Sequence, residues 1–301
     1  MSINDWYIIL TASVVSASCA ILGCFLVLRK MAMVGDAISH AVLPGIVIAF
    51  LLSGSRDSLT MVVGASAIGL LTTFIIEFLH RRGKLQSDAA IGVTFTSLFA
   101  AGVILVSAFT GKIDLDQDCV LYGEIAYVPL DLMITDGGTI IGPRALLIGV
   151  VVLIIISAFV WIGFRPLSLT TFDPGYAGTI GVSAALWHYL LMGSVSLTTV
   201  ASFESVGAIL VVALLVGPAT TSYLLTDNLK FMILLSVLTG VVASAGGYFL
   251  AVQMDGSIAG AIASVNGILF LMAMFFSPRH GLIFKKIGRK VSAPEWNERS
   301  V

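Results

Sequence analysis

The chain has 301 residues, of which 58% are hydrophobic and only 11% charged. A soluble domain carries about a quarter charged residues, so this composition excludes an ordinary soluble protein and describes a polytopic membrane protein. The formal net charge of -1 leaves no electrostatic footprint for nucleic acid, and Cys19, Cys24 and Cys119 have neither metal-site nor redox spacing.

A membrane-crossing helix needs about 20 apolar residues, and the chain divides into about eight or nine such runs. Trp6 to Leu28 comes first and has no basic leader before it, so it reads as a span and not as a signal peptide. It ends at Arg29-Lys30. Met33 to Ser53 is the second. A polar turn at Arg56-Asp57 leads into the third, Leu59 to Leu79, closed by His80-Arg81-Arg82-Gly83-Lys84. Ala89 to Phe109 is the fourth.

The stretch from Gly111 to Pro143 carries Asp114, Asp116, Asp118, Glu124, Asp131 and Asp136, and Leu121 to Ile125 is expected to form a short interfacial or re-entrant helix. Ala145 to Phe164 is the fifth span. Leu167 to Val182 is polar and punctuated by Gly and Pro, which predicts one short helix flanked by turns. Ala184 to Leu225 is apolar for two span lengths and is divided at Ser202-Phe203-Glu204-Ser205. Phe231 to Val252 and Ser257 to Phe276 complete the set. Basic residues collect at Arg29-Lys30, at Arg81-Arg82-Lys84 and between Arg279 and Lys290, so these segments face the cytoplasm and the acidic loop faces outward. Two rows of small residues, Gly240 with Ser244 and Gly256-Gly260-Ser264, predict close helix packing, and Gly217-Pro218 predicts a bend.

Chemistry concentrates in Gly35-Asp36-Ala37-Ile38-Ser39-His40-Ala41-Val42-Leu43-Pro44-Gly45. Asp36 and His40 are four residues apart and share a helix face. Pro44 has no N–H, so the carbonyl of His40 loses its helical partner. A carboxylate, an imidazole and a freed carbonyl on one side make the donor set of a divalent-cation site. The competing reading is an interfacial Asp at a helix start and a packed structural His. Ala37, Ala41 and Gly45 form a small-residue row that admits another helix.

Glu204 is a bare carboxylate at a span junction. It reads either as a further ligand or gate residue, or as an interfacial group in contact with water. Glu77 reads as a surface ion-pair partner of the basic cluster, and His188 as structural. His80 and His280 belong to basic segments. Asp118 and Glu124 read as solvated loop acids.

The stretch from Gly35 to Gly45 resembles the signature of the metal-ion ABC permeases, the membrane subunits of manganese, zinc and iron importers. Phe172-Asp173-Pro174-Gly175-Tyr176-Ala177-Gly178-Thr179-Ile180-Gly181 is similar to that family's ATPase-docking segment, and Val206 to Ala219 to its late-span signature. The resemblance implies an all-α polytopic ABC importer permease, a single transmembrane domain over 1–301 with a coupling segment at about 166–182. It implies a multi-pass protein of a bacterial cell membrane. Metal-ligand roles pass onto Asp36 and His40, with Glu204 as the added candidate. Coupling roles pass onto Phe172, Asp173, Pro174, Ala177 and Gly181.

The implied partners are two cytoplasmic ABC ATPase subunits, an extracytoplasmic solute-binding protein, a second permease subunit and membrane lipid. No permanently bound cofactor is implied. The metal is cargo, and carboxylate and imidazole donors without thiolate favour Mn2+, with Zn2+ or Fe2+ as alternatives. The chain has no phosphate-binding G-x-x-x-x-G-K-[ST] loop, so ATP hydrolysis is expected on another polypeptide and this chain is not expected to be an enzyme. The rival expectation is a proton-coupled secondary metal transporter.

Overall fold

The computed structural model describes residues 3–53, 58–109, 125–134 and 140–277. Four long helices come first: α1 (Ile3–Leu28), α2 (Met33–Ser53), α3 (Ser58–Arg81) and α4 (Ser87–Phe109). A 3-10 turn at Ile125–Leu130 and a small antiparallel hairpin, β1 (Leu132–Ile134) and β2 (Ile140–Pro143), precede α5 (Arg144–Ile162). Two short helices follow, α6 (Phe164–Phe172) and α7 (Pro174–Thr179). The last four are α8 (Ala184–Val206), α9 (Ala208–Leu225), α10 (Leu229–Met254) and α11 (Ile258–Phe276). Among the described residues, nine of these helices are long and apolar enough to cross a membrane. The protein is thus an all-α polytopic membrane protein with one minor hairpin.

Two local expectations are corrected. The division between the sixth and seventh spans is not at Glu204, whose backbone is still helical, but at Gly207, where φ is +80°. That conformation costs a glycine little and any side chain more. The polar segment forms two short helices in place of one. Asp173 ends α6 through its N–H to the Leu169 carbonyl, and its carboxylate caps α7 by accepting the Tyr176 N–H at 2.9 Å. Pro174 stands at the first position of α7, where its missing N–H does no harm. The helix expected at Leu121 to Ile125 falls almost wholly outside the described residues, and the hairpin beside it was not foreseen.

α1 is the centre of one half of the molecule. Cys19, Ala20, Leu22, Cys24, Phe25 and Leu26 have no exposed surface, and α1 packs on α5, α9 and α10, while α11 packs on α9 and α10. α2, α3 and α4 form the other half, and α8 touches both. In lipid, such association rests on close packing and interhelical hydrogen bonds more than on the hydrophobic effect. Ser196 of α8 donates to the Ser66 carbonyl of α3 at 3.2 Å, Ser236 of α10 to the Ala20 carbonyl at 3.3 Å, and Asn266 of α11 to the Ala213 carbonyl at 2.8 Å. Gly240 and Ser244 are buried, with Gly240 against Ser16 of α1. Gly256, Gly260 and Ser264 are exposed, so that second row is not an intrachain packing face.

The ends sort as the charges require. Arg29, Lys30, Glu77, His80, Ser87 and His188 line one cavity, which places the end of α1, the end of α3, the start of α4 and the start of α8 on one side. Tyr127, Asp131, Arg144, Ala201 and Ser205 line another, formed by the hairpin region, the start of α5 and the end of α8. The positive-inside rule makes the first side cytoplasmic.

Candidate metal site and coupling segment

Asp36 lies in the first turn of α2, where the helix N-terminus favours negative charge. His40 Nε2 is 3.5 Å from Asp36 Oδ1, and about a third of each side chain is exposed on the surface of this chain. The helix continues through Pro44, so the His40 carbonyl has no N–H four residues on. Ser39, between them in sequence, is buried, and its hydroxyl donates to the Gly35 carbonyl of the same helix at 2.9 Å. The available donors are therefore a carboxylate oxygen, an imidazole nitrogen and one carbonyl, all hard or intermediate in character.

One wall of this site was not anticipated from the sequence. The rings of Phe95 and Phe99 on α4 lie 5.7 and 6.3 Å from the His40 ring, the second edge-on. Gly102, further along the same helix, lets α4 close on Pro44: a Cβ there would sit 2.8 Å from Pro44 Cδ. The spacing Phe95, Phe99, Gly102 is one helical stripe, a signal present in the sequence but indistinguishable there from ordinary packing. On the neighbouring face Gly45, the last of the small-residue row, admits another helix. A Cβ on Gly45 would lie 2.8 Å from the Gly64 carbonyl oxygen and 2.9 Å from Ala65 Cα, so α2 and α3 are in near backbone contact.

Packing also fixes the depth of the pair. Ile38, between Asp36 and His40, sits with Ser196 around Gly69, where a Cβ would be 3.2 Å from Ile38 Cγ2 and 3.0 Å from Ser196 Cβ. Gly69 and Ser196 are near the middles of α3 and α8. Asp36 and His40 therefore stand at mid-height in the bundle. Glu204 lies two turns beyond Ser196 on α8, roughly 12 Å further outward by helix rise, and its side chain is not among those described. Asp118, Glu124 and His280 lie outside the described residues. Among the described residues no group of three or more His, Cys, Asp and Glu comes together as a metal cluster. A cation at Asp36 and His40 needs further ligands from carbonyl, water or another subunit.

Glu77 is corrected from the sequence reading. It is not a surface group: its side chain is 12% exposed and its Oε2 lies 3.0 Å from His188 Nε2. His80 is bound locally, with Nδ1 2.9 Å from the Leu85 carbonyl.

The segment after α5 presents an apolar surface on the cytoplasmic side. Phe172, Tyr176 and Ile180 are each more than half exposed, whereas Ala177 is fully buried. α7 closes through the Val182 N–H to the Ala177 carbonyl at 2.9 Å, with Gly181 at φ +83° supplying the left-handed turn. Asp173, Pro174, Ala177 and Gly181 thus shape the segment, and Phe172 and Tyr176 supply its outward face.

Comparison with known proteins decides the family. The model of the ABC 3 transport family matches residues 6–277. The chain belongs to the ABC 3 transport family. It is 48% identical over 287 residues to the manganese transport system membrane protein MntD of Bacillus subtilis, covering 95% of this chain and 96% of that one. It is 44% identical over 276 residues to the zinc transport system membrane protein TroD of Treponema pallidum, covering 92% and 75%. The solved PsaBC structure from Streptococcus pneumoniae, in complex with Fab, superposes with a TM-score of 0.77 at 33% identity, covering 96% of each chain. This ABC-3 permease is a multi-pass cell-membrane protein, and the ABC assignment sets aside the proton-coupled carrier.

Proposed function

We propose that this permease imports a divalent transition metal, with Mn2+ as the favoured cargo, and that Asp36 and His40 hold the ion in transit. The single observation that carries the reading is the mid-height pair: two metal donors, partly exposed, beside a carbonyl freed by Pro44. Ionisable groups at that depth are costly and mark ion pathways. A third of each side chain is open, which leaves coordination positions for water or for a second permease subunit facing the same path. Glu204 serves as an outer carboxylate on the way in, separated along α8 from the central pair.

Manganese is favoured by the donor chemistry and by the similarity to MntD; zinc has the support of TroD. The exposed face of α6 and α7 docks on a cytoplasmic ATPase, one of two that bind and hydrolyse ATP, and a solute-binding protein delivers the ion from outside. The whole chain then acts as one transmembrane domain with its coupling segment near 166–182, and carries no catalytic centre or resident cofactor of its own.

The test is uptake of Mn2+, Zn2+ and Fe2+ in cells lacking their own importers. Wild type is compared with Asp36→Ala and His40→Ala at matched membrane levels. Loss of one metal's uptake in both variants supports the reading and names the cargo. Full uptake in both variants overturns it.

A further inference from the structure

A second buried polar cluster stands at the cytoplasmic ends of α1, α3, α6 and α8, away from Asp36 and His40. Arg29, the residue after α1, donates from Nε to Thr171 Oγ1 and from one terminal nitrogen to Thr170 Oγ1, each at 3.0 Å. The other terminal nitrogen is 3.5 Å from His188 Nδ1. A guanidinium offers donors only, so Nδ1 is the accepting nitrogen of His188 and the ring proton sits on Nε2. That Nε2 faces Glu77 Oε2 at 3.0 Å, with the two side chains 11% and 12% exposed. The approach is an electrostatic contact more than an aligned hydrogen bond.

Thr170 and Thr171 are themselves fixed. Their hydroxyls donate to the Pro166 carbonyl at 2.8 Å and the Leu167 carbonyl at 2.6 Å, which leaves lone pairs for Arg29. Burial pushes the Arg29 pKa below its ordinary value, so the acceptors and the nearby carboxylate are needed to hold the charge there. A cavity of about 380 Å³ opens beside Arg29, Glu77, His80 and His188, which leaves room for the cluster to shift.

The chain of contacts has a direction. Thr170 and Thr171 belong to α6, one turn before Asp173 and α7. Glu77 belongs to α3, which is in near backbone contact with the metal-bearing α2 at Gly45 and Gly64. We infer that Arg29, His188 and Glu77 are positioning residues that carry movement of the ATPase-docking segment to α3 and through it to Asp36 and His40. This rests on the reading of α6 and α7 as the coupling segment. A packed network with two arrangements is what such transmission needs.

The test uses the full transporter, this permease with its ATPase in vesicles and its Mn2+-loaded solute-binding protein on the outer face, and measures Mn2+ uptake and phosphate release together. His188→Leu fills similar space without ring nitrogens, whereas His188→Gln restores one acceptor and one donor. Loss of charge-assisted contacts is expected to lower the Mn2+ moved per ATP about tenfold in His188→Leu, with hydrolysis within about twofold of wild type. His188→Gln recovers most of the ratio. Glu77→Gln, equal in shape, lowers it even if the leucine variant does not fold. An unchanged ratio in His188→Leu and Glu77→Gln overturns the inference. So does a parallel fall of uptake and hydrolysis in every variant, which is the mark of a purely structural role. Wild type that hydrolyses ATP without moving Mn2+ instead overturns the cargo reading itself.

Discussion

Two carboxylate–imidazole pairs in this chain use the same chemistry in different settings. At mid-height, Asp36 and His40 are 3.5 Å apart and a third exposed, with two phenylalanine rings on one side. At the cytoplasmic end, Glu77 and His188 are 3.0 Å apart and nearly enclosed, and Arg29 adds a fixed positive charge beside the imidazole. A cation approaching the first pair meets a negative group and open positions. One approaching the second meets a guanidinium already in place. Residue type alone does not assign a metal ligand; the neighbouring charge and the remaining open surface do.

The largest expected effect comes from removing the open pair. Loss of a partner behind a ligand already costs about 10–100-fold in metal affinity, so Asp36→Ala or His40→Ala should lower binding by on the order of 100-fold. Isothermal titration of Mn2+ into the purified transporter reads this directly. The same titration on Glu77→Gln should change little, and an equal loss there would erase the contrast between the pairs.

The next effect is on the frame that holds the open pair. Gly45→Val places side-chain atoms against the Gly64 carbonyl and Ala65 Cα, and overpacking of this kind costs about 1–3 kcal/mol. Thermal unfolding in detergent should show a lower midpoint than wild type, and an unchanged midpoint would mean that α2 and α3 can part without cost.

A change of similar size is expected on the cytoplasmic face, where truncating an interface aromatic costs about 2 kcal/mol at a hot spot. Tyr176→Ala should therefore weaken ATPase association, measured by co-purification or light scattering, while Mn2+ binding at the open pair is retained. The smallest is Asp173→Ala. Loss of an N-cap costs about 1 kcal/mol, so association should weaken only several-fold, and a complete loss would assign Asp173 a direct contact with the ATPase.

The spans were legible because length and apolarity are strong signals. The third runs from Ser58 where Leu59 is expected, and the eighth from Leu229 where Phe231 is expected. Charge misled at Glu204, since a helix tolerates one carboxylate near its end and the true break needed the positive φ of Gly207. The small-residue row at Gly256, Gly260 and Ser264 shows that a face is flat without showing that anything covers it. Asp36 and His40 were visible as an isolated polar pair four residues apart. Arg29 was not, because a basic residue at the end of a span is explained by membrane orientation alone. Its partners Thr170, Thr171 and His188 lie more than a hundred residues away, and only tertiary packing brings them together.

The proposed mechanism stands or falls on whether cargo binds the open pair and not the closed one. The most direct measurement is pulsed electron paramagnetic resonance of Mn2+ bound to the transporter carrying nitrogen-15 histidine. Coupling of the ion to an imidazole nitrogen should be present in wild type, lost in His40→Gln and kept in His188→Gln. Coupling that survives His40→Gln and disappears in His188→Gln would contradict it.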